Sequence, residues 1–216
     1  MRREVNIPNP SSKTKTSVKY CDLFAEAGWK AIGVNDFFDS KVDEDLISSN
    51  SLHGIVINTY WKDIQTDREK KVSLTLNGKQ SQKENRSKGN ELRYPINTTA
   101  RASAGGHNFL FVALGETNID NNVTSASASM LLSAVRGMLK EARAACSAEP
   151  LIIPLMGSGL ARVGIKDSVL LDLIITAILE EERNRQITKQ IIIVIHNENE
   201  ERINLKNNLR NWTHGK

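Results

Sequence analysis

Cysteine and histidine are scarce in this sequence, and what each scarcity excludes narrows its chemistry. Only two cysteines, Cys21 and Cys146, occur in 216 residues. They stand far apart, match no metal-ligand spacing and imply no disulfide framework, so they read as reduced thiols of a cytoplasmic protein. The four histidines, His53, His107, His196 and His214, are equally scattered and lack H-E-x-x-H or C-x-x-C company. No metal and no cofactor is therefore expected. No apolar run approaches the roughly 20 residues that span a bilayer, and Met1-Arg2-Arg3-Glu4 has no signal-peptide core, so the chain as given reads as soluble. Charge of one sign is missing too: 29 Lys and Arg stand against 25 Asp and Glu, a net charge of +4. The basic residues of 62–93 are interspersed with acids, which reads as a solvated face rather than a nucleic-acid stripe. Neither G-x-x-x-x-G-K-[ST] nor G-x-G-x-x-G occurs, which excludes a P-loop and a standard dinucleotide fingerprint.

What is present suits one α/β domain, since 39% hydrophobic residues over this length build a sizeable core. Residues 1–17 read as a polar tail with an edge strand near Val5 and Ile7, and 18–213 as the domain. Val18-Lys19-Tyr20 and Lys30-Ala31-Ile32-Gly33-Val34 read as strands, and 52–62 as a short helix after the cap-rich Ser48-Ser49-Asn50-Ser51. Residues 63–91 look least globular and form an excursion outside the core, with Val72-Ser73-Leu74-Thr75-Leu76 alternating toward the hairpin-type dipeptide Asn77-Gly78. A strand is expected over 92–102 and a central, doubly buried one over 108–114. An amphipathic helix follows over 125–145, with Leu131, Val135, Met138 and Ala142 at helical spacing. Strand 151–153, helix 167–183, strand 190–195 and helix 200–210 complete the pattern. Such alternation predicts parallel strands with helices on both faces and a ligand site beyond their carboxyl ends.

The richest stretch is Pro154-Leu155-Met156-Gly157-Ser158-Gly159-Leu160-Ala161-Arg162, a glycine turn between an apolar strand and a helix. Gly157 and Gly159 permit positive φ and carry no Cβ, so consecutive N–H groups can turn inward and a phosphate can approach them. Asp22, Asn35 and the His196-Asn197 pair fall at the same edge. Bland readings stand beside these: the turn only reverses the chain, Asp22 and Ser51 are helix N-caps, Asn35 terminates its strand, and His53 and Arg162 are surface residues.

In combination, Cys21-Asp22-Leu23, Ile32-Gly33-Val34-Asn35 and the 154–162 loop resemble the macro domain over about residues 18–198. The resemblance implies a three-layer α/β/α sandwich with a mixed, largely parallel central sheet. In it Asp22, with Leu23 beside it, fixes adenine, and the loop from Gly157 to Arg162 wraps an ADP-ribose pyrophosphate. More narrowly, Val34-Asn35-Asp36-Phe37-Phe38-Asp39, Ser51-Leu52-His53-Gly54, Arg93-Tyr94-Pro95-Ile96-Asn97-Thr98-Thr99-Ala100 and the glycine loop look like the macro-like domain of type II Thoeris antiphage effectors. That likeness implies a sensor for a nucleotide signal that a TIR-domain enzyme makes from NAD, understood to be histidine-ADP-ribose. Asn35, Ser51, Leu52, His53 and Gly54 would lie near the distal ribose, and Asn197 near the loop. It also implies a homo-oligomer whose assembly responds to ligand. The resembled effectors carry N-terminal membrane helices that this chain lacks, so a soluble fragment or a relative with another output is expected. Hydrolytic macro domains continue from the first Asn to a second Asn and a glycine-rich loop, whereas Asn35 is followed here by Asp36-Phe37-Phe38-Asp39. No catalytic residue is therefore assigned, although Asp39, Asp43 and His53 are the acid–base candidates if the chain is instead an ADP-ribosyl hydrolase. An interaction domain for nucleic acid or protein is the third reading.

Overall fold

A computed structural model describes residues 3–62, 64–159, 163–199 and 202–213. The strands are β1 (Glu4–Ile7), β2 (Lys15–Tyr20), β3 (Trp29–Asn35), β4 (Gln82–Lys83), β5 (Leu92–Arg93), β6 (Thr99–Ala104), β7 (His107–Thr117), β8 (Thr124–Ser125), β9 (Leu151–Pro154) and β10 (Gln190–Ile195). The helices are α1 (Leu52–Tyr60), α2 (Gln65–Leu76), α3 (Ala128–Ala145), α4 (Asp167–Asn184), α5 (Leu205–Asn208) and α6 (Arg210–Thr213), with a 3-10 turn over Leu23–Ala25. The main sheet runs β1-β2-β10-β9-β3-β7-β6, with β8 beside β7. From β2 to β7 all neighbours are parallel, while β1, β6 and β8 add antiparallel edges.

The sheet separates two cores because its strands are apolar on both faces. Along β10, Ile191, Ile193 and Ile195 face one core and Ile192 and Val194 the other. Along β7, Leu110, Val112 and Leu114 alternate in the same way with Phe109, Phe111 and Ala113. Burying each such large side chain contributes about 1.5–3 kcal/mol; β7, expected as a central strand, lies one strand in from the β6 edge and is nonetheless buried on both faces. The first core is aliphatic and is closed by α3 and α4, whose stripes of Leu131, Val135, Met138 and Leu170, Ile174, Ile178 recur at helical spacing. Ser127 caps α3 by accepting from the Met130 N–H at 3.2 Å. The second core is aromatic, with Trp61, Phe109 and Phe111 under α1 and α2.

Five expectations change. Residues 1–17 are less of a tail than expected: β1 buries Val5 and Ile7, and β2 already begins at Lys15. The 63–91 excursion is partly core, because 72–76 continues a helix whose Val72 and Leu76 are one turn apart and buried. Asn77-Gly78 ends that helix rather than a hairpin, with Gly78 at φ +76°. The strand expected over 92–102 divides into β5 and β6 around Pro95; of the helix expected over 200–210, residues 200 and 201 lie outside the described residues, and the described remainder forms the short α5 and the start of α6.

Candidate functional site

Five parallel strands deliver their carboxyl ends to one edge, so the residues after Tyr20, Ile195, Pro154 and Asn35 gather there although they are far apart in sequence. Asp22, Asn197, the 155–159 loop and Asn35 thus share an edge, with residues 51–54 following the β3 connection. The edge has an open half and a closed half.

In the open half, Asp22 is exposed and starts the 3-10 turn, one carboxylate oxygen accepting from the Phe24 N–H at 2.9 Å. It is a cap, and its second oxygen makes no further bond among the described residues. The Leu23 side chain is buried in the aromatic core, which fixes the turn on the sheet. Gly157 sits at φ +86°, and a Cβ there would come within 2.7 Å of Val163 Cγ2, so the residue must be glycine for conformation and space. Around Gly159, by contrast, nothing among the described residues lies within 4 Å of an added Cβ. Ser158 turns its hydroxyl back to donate to the Leu155 carbonyl at 2.7 Å, leaving the loop's outward chemistry to its backbone. Leu160, Ala161 and Arg162 lie outside the described residues. Asn197 accepts from Arg3 Nη2 at 3.1 Å.

In the closed half, polar groups are consumed internally. A register shift between Val34 and Asn35 re-aims the end of β3. Asn35 is buried; its Nδ2 donates to Asp39 Oδ2 at 2.8 Å and its Oδ1 accepts from the Asp39 N–H at 3.1 Å. Asp39 also accepts from Arg86 Nη1 at 3.1 Å and from the Asn90 N–H at 2.7 Å, with both side chains of the ion pair essentially inaccessible. Arg86 lies 3.9 Å over the Phe37 ring and donates to Asn122 Oδ1 at 2.9 Å. Between them Phe38 takes φ +53°, a left-handed backbone that is unfavourable for a bulky residue, held by edge-on packing against Tyr94 at 5.4 Å. Next to this network the Asp36 carboxyl, accepting from the Thr117 N–H at 3.0 Å, is pushed up from its ordinary value by burial.

The 51–54 turn is equally committed. Ser51 accepts from the Gly54 N–H at 2.9 Å and donates to the Ser48 carbonyl at 2.7 Å, as a helix N-cap does. A Cβ on Gly54 would lie 2.2 Å from the Ser48 oxygen, so this glycine serves close packing. Leu52 packs on the aromatic core. His53 is no surface residue: it is buried, tilted on Phe111, and 2.7 Å from Arg68 Nη2. Arginine only donates, so Nε2 accepts and the proton sits on Nδ1. Burial, with the Arg68 charge beside it, holds His53 well below its ordinary pKa. Of the acid–base candidates, His53 and Asp39 are thus tied to arginines, and Asp43, pulled down to about 2, accepts from the Leu46 N–H at 2.9 Å. Burial pushes the thiols of Cys21 and Cys146 up to about 11 and about 12, so neither is a ready nucleophile.

The Thoeris protein ThsA macro-domain family matches residues 16–196. The chain belongs to this family. Among curated proteins no sequence matches. In fold, the chain is similar to the Oceanobacillus iheyensis macrodomain solved with ADP, at a TM-score of 0.61 and 10% identity over 90% of this chain and 89% of that one. It is also similar to a Trypanosoma brucei macrodomain in complex with ADP-ribose, at a TM-score of 0.56 and 7% identity over 86% and 66% of the two chains. The macro-domain fold expected from the residues is therefore the fold the chain has. Among the described residues no helix is long and apolar enough to cross a membrane.

Two side chains that organise the closed half, Arg68 and Arg86, were not among the expected site residues. Both lie in the stretch whose mixed charge reads as a solvated face. Arg68 had a signal: it stands four residues before Val72 and eight before Leu76, on the buried stripe of α2. Arg86, in irregular chain between β4 and β5, had none. A cleft of about 450 Å³ lies between α2 and the segments holding Phe37, Phe38 and Tyr94.

Proposed function

We propose that this domain binds an ADP-ribose-derived nucleotide as a sensor, without turning it over. The observation that carries the reading is the shared edge of a macro-domain sheet on which exposed Asp22 and an open glycine loop at 157–159 stand together. Asp22 would accept from the adenine amine through its second oxygen, with Leu23 beneath, and the loop's backbone N–H groups would hold the pyrophosphate. Family membership supports a place in Thoeris antiphage defence, with histidine-ADP-ribose made by a TIR-domain partner as the signal. The engagement of Asn35 with Asp39, and of Asp39 with Arg86, supports binding over hydrolysis: the groups that would position water are occupied within the protein. Lacking chemistry, a sensor acts by shifting an equilibrium between states that bind ligand differently, and a change in contacts between copies of the chain is the output assigned here.

Calorimetric titration with histidine-ADP-ribose, ADP-ribose, cyclic ADP-ribose and NAD tests the reading. The linear ADP-ribose compounds should bind, histidine-ADP-ribose tightest, and mass spectrometry should find the ligand intact after incubation with excess protein. Absence of binding by every compound overturns the sensor, and multiple turnovers dependent on Asn35 or Asp39 replace it with the hydrolase.

A further inference from the structure

The sheet edge at β6 is closed by a helix whose side chains take the place of a strand. The Ala113 N–H donates to the Thr98 carbonyl, so residues 98, 100, 102 and 104 turn their backbone groups to β7, and residues 99, 101 and 103 turn theirs outward. An open row of this kind is a template for another strand, and folded proteins cover it. Here three side chains do so in order. The Lys71 ammonium donates to the Ser103 carbonyl at 2.9 Å, Thr75 Oγ1 accepts from the Arg101 N–H at 3.0 Å, and Lys79 donates to the Thr99 carbonyl at 2.9 Å. The two periods match, because four residues of helix advance about 6 Å and two residues of antiparallel strand about 6.8 Å. Positions 71 and 75 of α2, with 79 in the turn after Gly78, therefore fall opposite 103, 101 and 99 in antiparallel order.

The cover is held by a narrow stripe. Besides these bonds α2 buries Arg68, Val72 and Leu76, whereas Ser73 and Leu74 are exposed, and a helix of 12 residues has little stability of its own. The strand beneath is suited to pair with itself. A two-fold axis through Arg101 sets Thr99 against Ser103 of a second copy and Arg101 against Arg101, with an outward donor and acceptor at each position. Like charges placed opposite one another are destabilising, but each Arg101 brings its own carboxylate, Glu141, at 2.7 Å.

We propose that α2 is a displaceable guard on the β6 edge, and that the edge it covers is a pairing surface for β6 of a second copy of this chain. With α2 in place, Lys71, Thr75 and Lys79 satisfy the outward groups and exclude a strand. When α2 lifts, the groups at 99, 101 and 103 find their partners in the other copy and the two sheets join. The pairing needs no nucleotide, so it is independent of the sensor reading; where that reading holds, this edge is the contact between copies that the ligand controls.

The test uses the full chain without nucleotide, in sedimentation velocity and hydrogen exchange. Lys71→Ala, Thr75→Val and Lys79→Ala together remove the three bonds without weakening the helix itself. The combined variant should exchange the amides of α2 about ten-fold faster than the parent, and should sediment at twice the parent's mass in a fraction that rises with concentration. Adding Ser103→Pro should restore the parent mass, because the 103 N–H points away from β7 and its loss removes pairing with a second copy but no bond within the sheet. Unchanged exchange over α2 overturns the guard. Faster exchange at the parent mass overturns the pairing surface, and so does association that persists with Ser103→Pro. If the combined variant fails to fold, Thr75→Val alone keeps the shape, removes the acceptor of the Arg101 N–H and carries the same comparison with a smaller dimer fraction.

Discussion

The two halves of the carboxyl edge are built from the same kinds of residue and use them in opposite ways. At Asp22 and the 157–159 loop, one carboxylate oxygen is left over from the cap, and at Gly159 no atom of the described residues lies within 4 Å of an added Cβ. At Asn35, Ser51 and His53, every side chain singled out in the sequence is spent on Asp39, on the Ser48–Gly54 cap or on Arg68. The contrast teaches that residue identity at a macro-domain position does not settle whether the group is offered to a ligand. Asn35 is the expected residue at the expected strand end, yet an aspartate four positions on and a distant arginine close around it. An open half joined to a sealed half is the arrangement on which the sensor proposed above rests.

Breaking the seal should have the largest effect. Arg86→Ala leaves Asp39 buried with only the hydrogen bonds from Asn35 and Asn90, and should cost about 3–5 kcal/mol of stability in urea denaturation. A loss under about 1 kcal/mol, typical of exposed pairs, would mean that the closed half is not closed. On the open side, Gly159→Val should reduce ADP-ribose binding by about 100-fold or more, equivalent to roughly 2.7 kcal/mol, while the melting temperature stays at the parent value. Gly157→Val sharpens the point, because it should lower both binding and stability through its positive φ and the Val163 contact. Asp22→Ala should weaken ADP-ribose by about 10- to 100-fold, as loss of one charge-assisted hydrogen bond of about 1.5–3 kcal/mol does.

The smallest effect is a pH dependence. His53 is depressed in the folded chain, so below its ordinary pKa of 6.5 the unfolded chain binds a proton that the folded chain refuses. Stability due to His53 is complete above pH 6.5 and is lost as pH falls toward the lower folded pKa, with a slope of at most about 1.4 kcal/mol per pH unit. Melting curves from pH 7 to 5 should show this slope in the parent and a flatter one in His53→Gln. Parallel curves would contradict the burial of a neutral histidine.

The sheet was readable because its strands are apolar runs bounded by turn residues, and β10 has the limits expected of it. The shared edge followed from alternation of strand and helix. Residues 63–91 were misread for a physical reason: α2 carries so many charges that its buried stripe is narrow, and Val72-Ser73-Leu74-Thr75-Leu76 satisfies a two-residue and a four-residue period at once. Exposed Leu74 and buried Val72 and Leu76 show which period holds. The fate of Asn35 was not legible, since it depends on Arg86, fifty-one positions away, and local pattern carries no information on such a pairing.

The division of the edge can be tested in one titration. In a 15N-labelled chain given ADP-ribose, the backbone amides of Ser158 and Gly159 should shift strongly, while the side-chain amide of Asn35 and the Nε–H of Arg86 should stay where they are. Large shifts at Asn35 and Arg86 with silent amides at 158 and 159 would contradict the account.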